Sequence, residues 1–125
     1  MSLSPVTPSK VTLSAAFASF NEAWAPREGG RINDAQIRLA KLRGSFVWHH
    51  HEREDEMFLV VKGSMILHFR DASVPLNTGD YIIVPRGMEH CPEAPEECHV
   101  LFVEPADTVN TGNVGGERTC SVQSL

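Results

Sequence analysis

The sequence predicts an all-β domain, an antiparallel sandwich or small barrel, led in by one short helix. Three observations carry this. Most of the chain consists of short runs that alternate apolar and polar residues, turn signals separate them at short intervals, and only one early stretch has helical spacing.

Residues 1–10, MSLSPVTPSK, hold two prolines and several small polar residues and read as a loose tail. They have no apolar core of the secretory kind. In LSAAFASFNEAW, Leu13, Phe17, Phe20 and Trp24 recur at spacings of three and four, one face of a short helix with Ser14 as its expected N-cap. APREGG ends it. From Ala35 the period becomes two. Ile37 and Leu39 alternate with Gln36, Arg38 and Ala40 in a half-buried strand. Phe46–His51 reads as a second strand and Met57–Lys62 as a third. Gly63-Ser64 suits a two-residue type II′ hairpin turn into the strand of Met65, Leu67 and Phe69, because Gly tolerates positive φ at the first position. Asn77–Asp80 is a turn, Tyr81–Val84 a short apolar strand closed by Pro85, and Cys98–Glu104 a last alternating run closed by Pro105. We therefore expect one barrel over residues 11–105, helix included, and an arm over 106–125 lying on its surface.

The 125 residues can bury a real core without a disulfide staple. Hydrophobic residues are 42% and charged residues 22%, ordinary for a globular chain, and the net charge is −5. There is no basic stripe for nucleic acid and no apolar run long enough to span a membrane. Cys91, Cys98 and Cys120 form no CxxC pair, so reduced thiols and a cytoplasmic setting are expected. Exposed sheet edges and the apolar helix stripe lead us to expect a homodimer.

The stretch WHHHEREDEMFLVVKG, Trp48 to Gly63, carries the chemistry. In a strand, side chains alternate between faces, so His49 and His51 point together with Val47 while His50 points away with Trp48 and Phe46. Glu56 shares its strand face with Phe58 and Val60, where a carboxylate is costly to bury unless paired or metal-bound. If the two strands are antiparallel neighbours, Glu56 reaches the histidine pair. His90 follows the turn VPRGME. Imidazoles and one carboxylate converging from separate segments suit a first-row divalent metal. His68 and His99 lie on strands without a partner motif, Cys91 is a small core residue, and Arg53 and Arg86 are turn residues near the barrel mouth.

These residues resemble a known family. Gly44, His49-x-His51, Glu56 and Gly63 look like the first motif of the cupin superfamily, and Gly79, Pro85, Gly87 and His90 in GDYIIVPRGMEH look like the second. More narrowly, the chain is similar to small cupin-2 proteins of the mannose-6-phosphate isomerase-like group. The resemblance implies a double-stranded β-helix, or jelly-roll, barrel whose metal ligands are His49, His51, Glu56 and His90. The second motif often ends in Asn four residues after its His. Here that residue is Ala94, which bears on the local turn and not on the metal.

Four protein ligands around an ion that prefers six leave open positions, which separates a catalytic site from a structural one. We expect one divalent ion: Zn, Fe, Mn or Ni. Iron would serve a dioxygenase, while the others would act as Lewis acids in an isomerase. Val47, Phe58 and Val60 are expected to give the pocket an apolar wall around a small-molecule substrate. No titratable group beside the ligands stands out as an acid or base, so a non-catalytic small-molecule or metal-binding sensor barrel is the alternative.

Overall fold

A computed structural model describes residues 6–125. The first five residues of the expected tail lie outside the described residues, and 6–12 carry no regular structure. One helix, α1 (Leu13–Ala18), precedes eight strands: β1 (Arg27–Ile32), β2 (Ala35–Ser45), β3 (Glu56–Lys62), β4 (Ser64–Phe69), β5 (Ser73–Asn77), β6 (Tyr81–Val84), β7 (His90–Pro105) and β8 (Gln123–Ser124). Among the described residues, no helix is long and apolar enough to cross a membrane.

The long strand β7 is the spine. Along one edge it pairs antiparallel with β2, from Ser45↔Glu93 to Ala35↔Pro105. Along its other edge it takes two partners in turn. β4 pairs with its first residues, from Phe69↔His90 to Ile66↔Glu93, and β3 with its later ones, from Lys62↔His99 to Met57↔Val103. β6 flanks β3, β5 flanks β4, and β1 flanks β2. Apolar residues alternating on these strands bury one interior of Leu42, Phe58, Val60, Met65, Leu67, Val100 and Phe102 among others, as expected for strands with one buried face.

Gly63 does not make the expected hairpin. β3 and β4 do not pair with each other; they form one bent path along β7. The inward residues are Phe58 and Val60 before the bend and Met65 and Leu67 after it, so the alternation slips by one residue there, as a bulge requires. Gly63 has φ +90°, and a Cβ on it would stand 3.1 Å from the Glu97 carbonyl oxygen. Positive φ and close approach to β7 both demand glycine.

Three further expectations are corrected. The helix begins after Thr12, not Ser14, and no side chain caps it. It spans six residues, so Phe20 and Trp24 lie beyond it. Phe17 and Phe20 pack with Leu39 on the outside of the sheet, while Trp24, at φ +59°, stacks on Phe46 with ring centres 4.7 Å apart. In β2 both faces are covered, where a half-buried strand was expected. Leu39 lies under the helix with Ile37 packed against it, while Gln36, Arg38 and Ala40 are buried on the other face. The helix supplies a second apolar environment, so apolar residues on this strand mark the outer face. Finally, Phe46–His51 is not a regular strand. His49 makes only an isolated antiparallel bridge to His90.

Candidate metal centre

His49, His51, Glu56 and His90 are brought together, all buried, each offering one ligand atom within 4.8 Å of the others. His49 is placed by its bridge to His90, with backbone hydrogen bonds of 3.0 and 2.9 Å. Glu56 opens β3 opposite Val84, and His90 opens β7. Because 46–51 forms no strand, β3 does not pair with it as the sequence had suggested; β3 pairs with β6 and β7 instead. The triplet is nonetheless divided: His51 is buried, whereas His50 is half-buried and its Nε2 faces exposed Glu52 at 3.7 Å.

The donor atoms fit a divalent ion. His49 Nδ1 lies 2.9 Å from the Val47 carbonyl oxygen and His90 Nδ1 2.9 Å from that of Met88. A carbonyl can only accept, so each Nδ1 carries the hydrogen and each Nε2 is left with a lone pair. His90 Nε2, both His51 ring nitrogens and Glu56 Oε1 are buried without hydrogen-bond partners. Such orphans are costly in a dry interior. Glu56 Oε1 stands 3.5 Å from His51 Nε2 and 3.3 Å from His90 Nε2. Two ligands of one ion with bonds near 2.1 Å sit about 3.0–3.4 Å apart, so the spacing matches shared coordination better than direct hydrogen bonding.

The electrostatics agree. Burial, with help from neighbouring His90, pushes His49 down to about 4, so its imidazole is neutral at physiological pH, as a metal ligand must be. Burial pushes Glu56 up, but its contacts with Glu104, His51 and His90 outweigh this and hold it well below the usual carboxylate range. Burial, and then the charge on Glu56, hold Glu104 well above that range.

Glu104 is a residue of this site that the sequence did not single out. It is buried and lines the same cavity as His49 and Glu56. Arg38 Nη1 donates to its Oε1 at 3.0 Å, while Oε2 has no partner. The signal was present: Glu104 shares the alternating face of Val100 and Phe102, as Glu56 shares that of Phe58 and Val60. The cavity, open at its mouth, is also lined by Trp24, Phe46, Phe58 and Phe102. Of the expected apolar wall, Phe58 lines it; Val60 sits in the core instead, and Val47 is half-buried away from it. The face assignment that grouped Val47 with the histidines assumed a regular strand, and none forms there. Among the described residues, no Lys or Arg lines this cavity. At its rim, Arg118 lies over the Phe46 and Trp24 rings, 5.6 and 5.9 Å from their centres.

A barrel of this topology with this donor set is a cupin, and the chain belongs to that family: the Cupin domain family (Cupin_2) matches residues 37–104. Among solved structures, the chain is similar to a cupin-2 domain containing protein from Shewanella frigidimarina NCIMB 400, with TM-score 0.75 and 40% identity over 76% of this chain and 93% of that one. It is also similar to protein NMB1881 from Neisseria meningitidis, with TM-score 0.72 and 28% identity over 78% and 99%. Among curated proteins it is 37% identical over 60 residues to the uncharacterized protein YdbB of Bacillus subtilis strain 168, covering 47% of this chain and 53% of that protein. It is 34% identical over 65 residues to a 3-hydroxyanthranilate 3,4-dioxygenase of Brucella anthropi, covering 46% of this chain and 36% of the enzyme. The chain thus spans about half or less of the curated relatives it matches.

Proposed function

We propose that this cupin is a metal-dependent enzyme that oxidises a small, largely apolar acid with dioxygen, using His49, His51, Glu56 and His90 to hold one divalent ion, iron in the working form. The observation that carries this reading is the cavity itself: aromatic walls, His49 and Glu56 of the metal cluster in its lining, and no Lys or Arg among the described lining residues. An isomerase for sugar phosphates would need cationic or polar walls around a charged, hydroxyl-rich substrate. The partial similarity to a dioxygenase supports the same choice. When bound, iron supplies the redox chemistry that three imidazoles and a carboxylate commonly support.

The chain's own residues do the rest. Trp24, Phe46, Phe58 and Phe102 hold the apolar body of the substrate and exclude water. Arg118, already donating to the Ser45 carbonyl at 3.3 Å, places a positive charge at the rim for a substrate carboxylate. Glu104 holds a proton on Oε2, since Oε1 is engaged by Arg38, and provides the acid or base beside the ligands. The test is oxygen consumption by protein loaded anaerobically with Fe(II) and offered small aromatic acids, catechols and aminophenols. Uptake that disappears in Glu104→Gln, with iron content unchanged, is expected. Tight ligand binding without uptake would instead make the chain a binding barrel.

We also propose a homodimer formed through the outer face of β3 and β6. Ile83, Met57, Val103 and Ile37 are successive cross-strand partners on that face, and Tyr81 and Ile83 are exposed at its edge. Light scattering should give twice the chain mass, and Ile83→Asp should halve it.

A further inference from the structure

We propose that the C-terminal arm is a working part of the metal centre: Gly112 and Asn113 fix the backbone of His50 and thereby hold His49 and His51 in ligating position. The inference rests on the metal reading above. It starts from the absence of a regular strand at 46–51. Without a ladder, the positions of the two ligands depend on individual backbone anchors, and there is one for each residue of the triplet. His49 is tied to His90 by hydrogen bonds in both directions, and the His51 carbonyl accepts from the Gly87 N–H at 2.7 Å. Both of these anchors belong to the barrel. The anchor on His50 does not. Asn113 accepts the His50 N–H on its Oδ1 at 2.8 Å and returns its own N–H to the His50 carbonyl at 3.1 Å.

Gly112 makes this approach feasible. Its φ is +54°, and a Cβ there would fall 2.2 Å from the His50 carbonyl oxygen and 3.2 Å from His51 Nδ1. No side chain of any size fits that gap, so the arm lies directly against a ligand. The arm is itself held firmly. Arg38 donates to the Thr108 carbonyl at 2.7 Å and to that of Ala106 at 2.9 Å, and Thr111 is wholly buried. The family match ends at residue 104, so this support lies outside the matched barrel. An anchor bonded to the residue between two ligands acts as outer-shell groups do elsewhere, by limiting the rotation of the ligands it holds.

The test uses the full chain, stripped of metal, with Co(II) as the probe. Affinity is read by competition with a chromophoric chelator, geometry by the visible Co(II) spectrum, and folding by thermal melts of the metal-free protein. Asn113→Ala is expected to weaken Co(II) binding about 10-fold or more and to alter the spectrum, with the metal-free melting temperature close to that of the unsubstituted protein. Asn113→Asp keeps an acceptor for the His50 N–H and is expected to restore both affinity and spectrum. Wild-type affinity and spectrum in Asn113→Ala would overturn the clamp while leaving the metal centre standing. So would a loss that Asp fails to restore and that merely follows a lowered melting temperature. No Co(II) binding by the unsubstituted protein would overturn the metal centre and the clamp with it.

Discussion

His51→Ala is expected to bind a divalent ion about 100-fold more weakly than the unsubstituted protein, or worse, while His50→Ala binds it normally. The two residues are adjacent and chemically identical, so only the direction of the side chain distinguishes them. His51 is buried with both ring nitrogens unpartnered and its Nε2 3.5 Å from Glu56. His50 turns outward to Glu52 and is held through its backbone, which alanine preserves. Chelator competition measures both affinities. Equal retention by the two variants would remove His51 from the ligand set.

Arg38→Ala should be the most destabilising single substitution outside the apolar core, by about 3–5 kcal/mol, since several buried acceptors lose their donor at about 1–3 kcal/mol each, with a fall in melting temperature on the order of 10–20 °C. Arg38 is 1% exposed. Its guanidinium donates to the Gln36 side chain at 2.6 Å, to Glu104 at 3.0 Å, and to two carbonyls of the arm. Removing it leaves those acceptors buried and unpaired. It also frees Glu104 and loosens the arm, so limited proteolysis should cut within residues 106–125 earlier than in the unsubstituted protein. Replacing both partners, Arg38→Met with Glu104→Leu, should recover part of the loss, since the buried Glu104 carboxyl no longer stands without its donor. A melt within a few degrees of the unsubstituted protein for Arg38→Ala would show that the buried network contributes little.

Local pattern carried the cluster of His49, His51, Glu56 and His90. The parity of His49 and His51, an inward Glu56 among apolar neighbours, and His90 after a proline-glycine turn are all short-range features, and the four glycines and the proline of the two motifs strengthened them. What pattern could not carry was pairing at long range. Nothing local says that Gly63 bends a continuous path along β7 instead of closing a hairpin, because both need positive φ at a glycine. Nor does alternation say which face of β2 is inside: Ile37 and Leu39 look like core residues until α1 is known to cover the outer face. Glu104 was legible by the same reasoning that found Glu56, but Cys98–Glu104 was read as a strand and not as a wall of the site. The arm was placed on the barrel surface from composition alone. Its contact with His50 joins residues 63 positions apart and has no local signature.

The measurement that bears most directly on the metal centre is X-ray absorption at the edge of the ion bound by the unsubstituted, untagged protein. Three imidazole rings and one carboxylate oxygen should appear in the coordination shell, at one ion per chain, with one imidazole missing in His51→Ala. A shell with no more than one imidazole, one containing sulfur, or no bound ion after reconstitution would contradict the assignment of His49, His51, Glu56 and His90 as ligands.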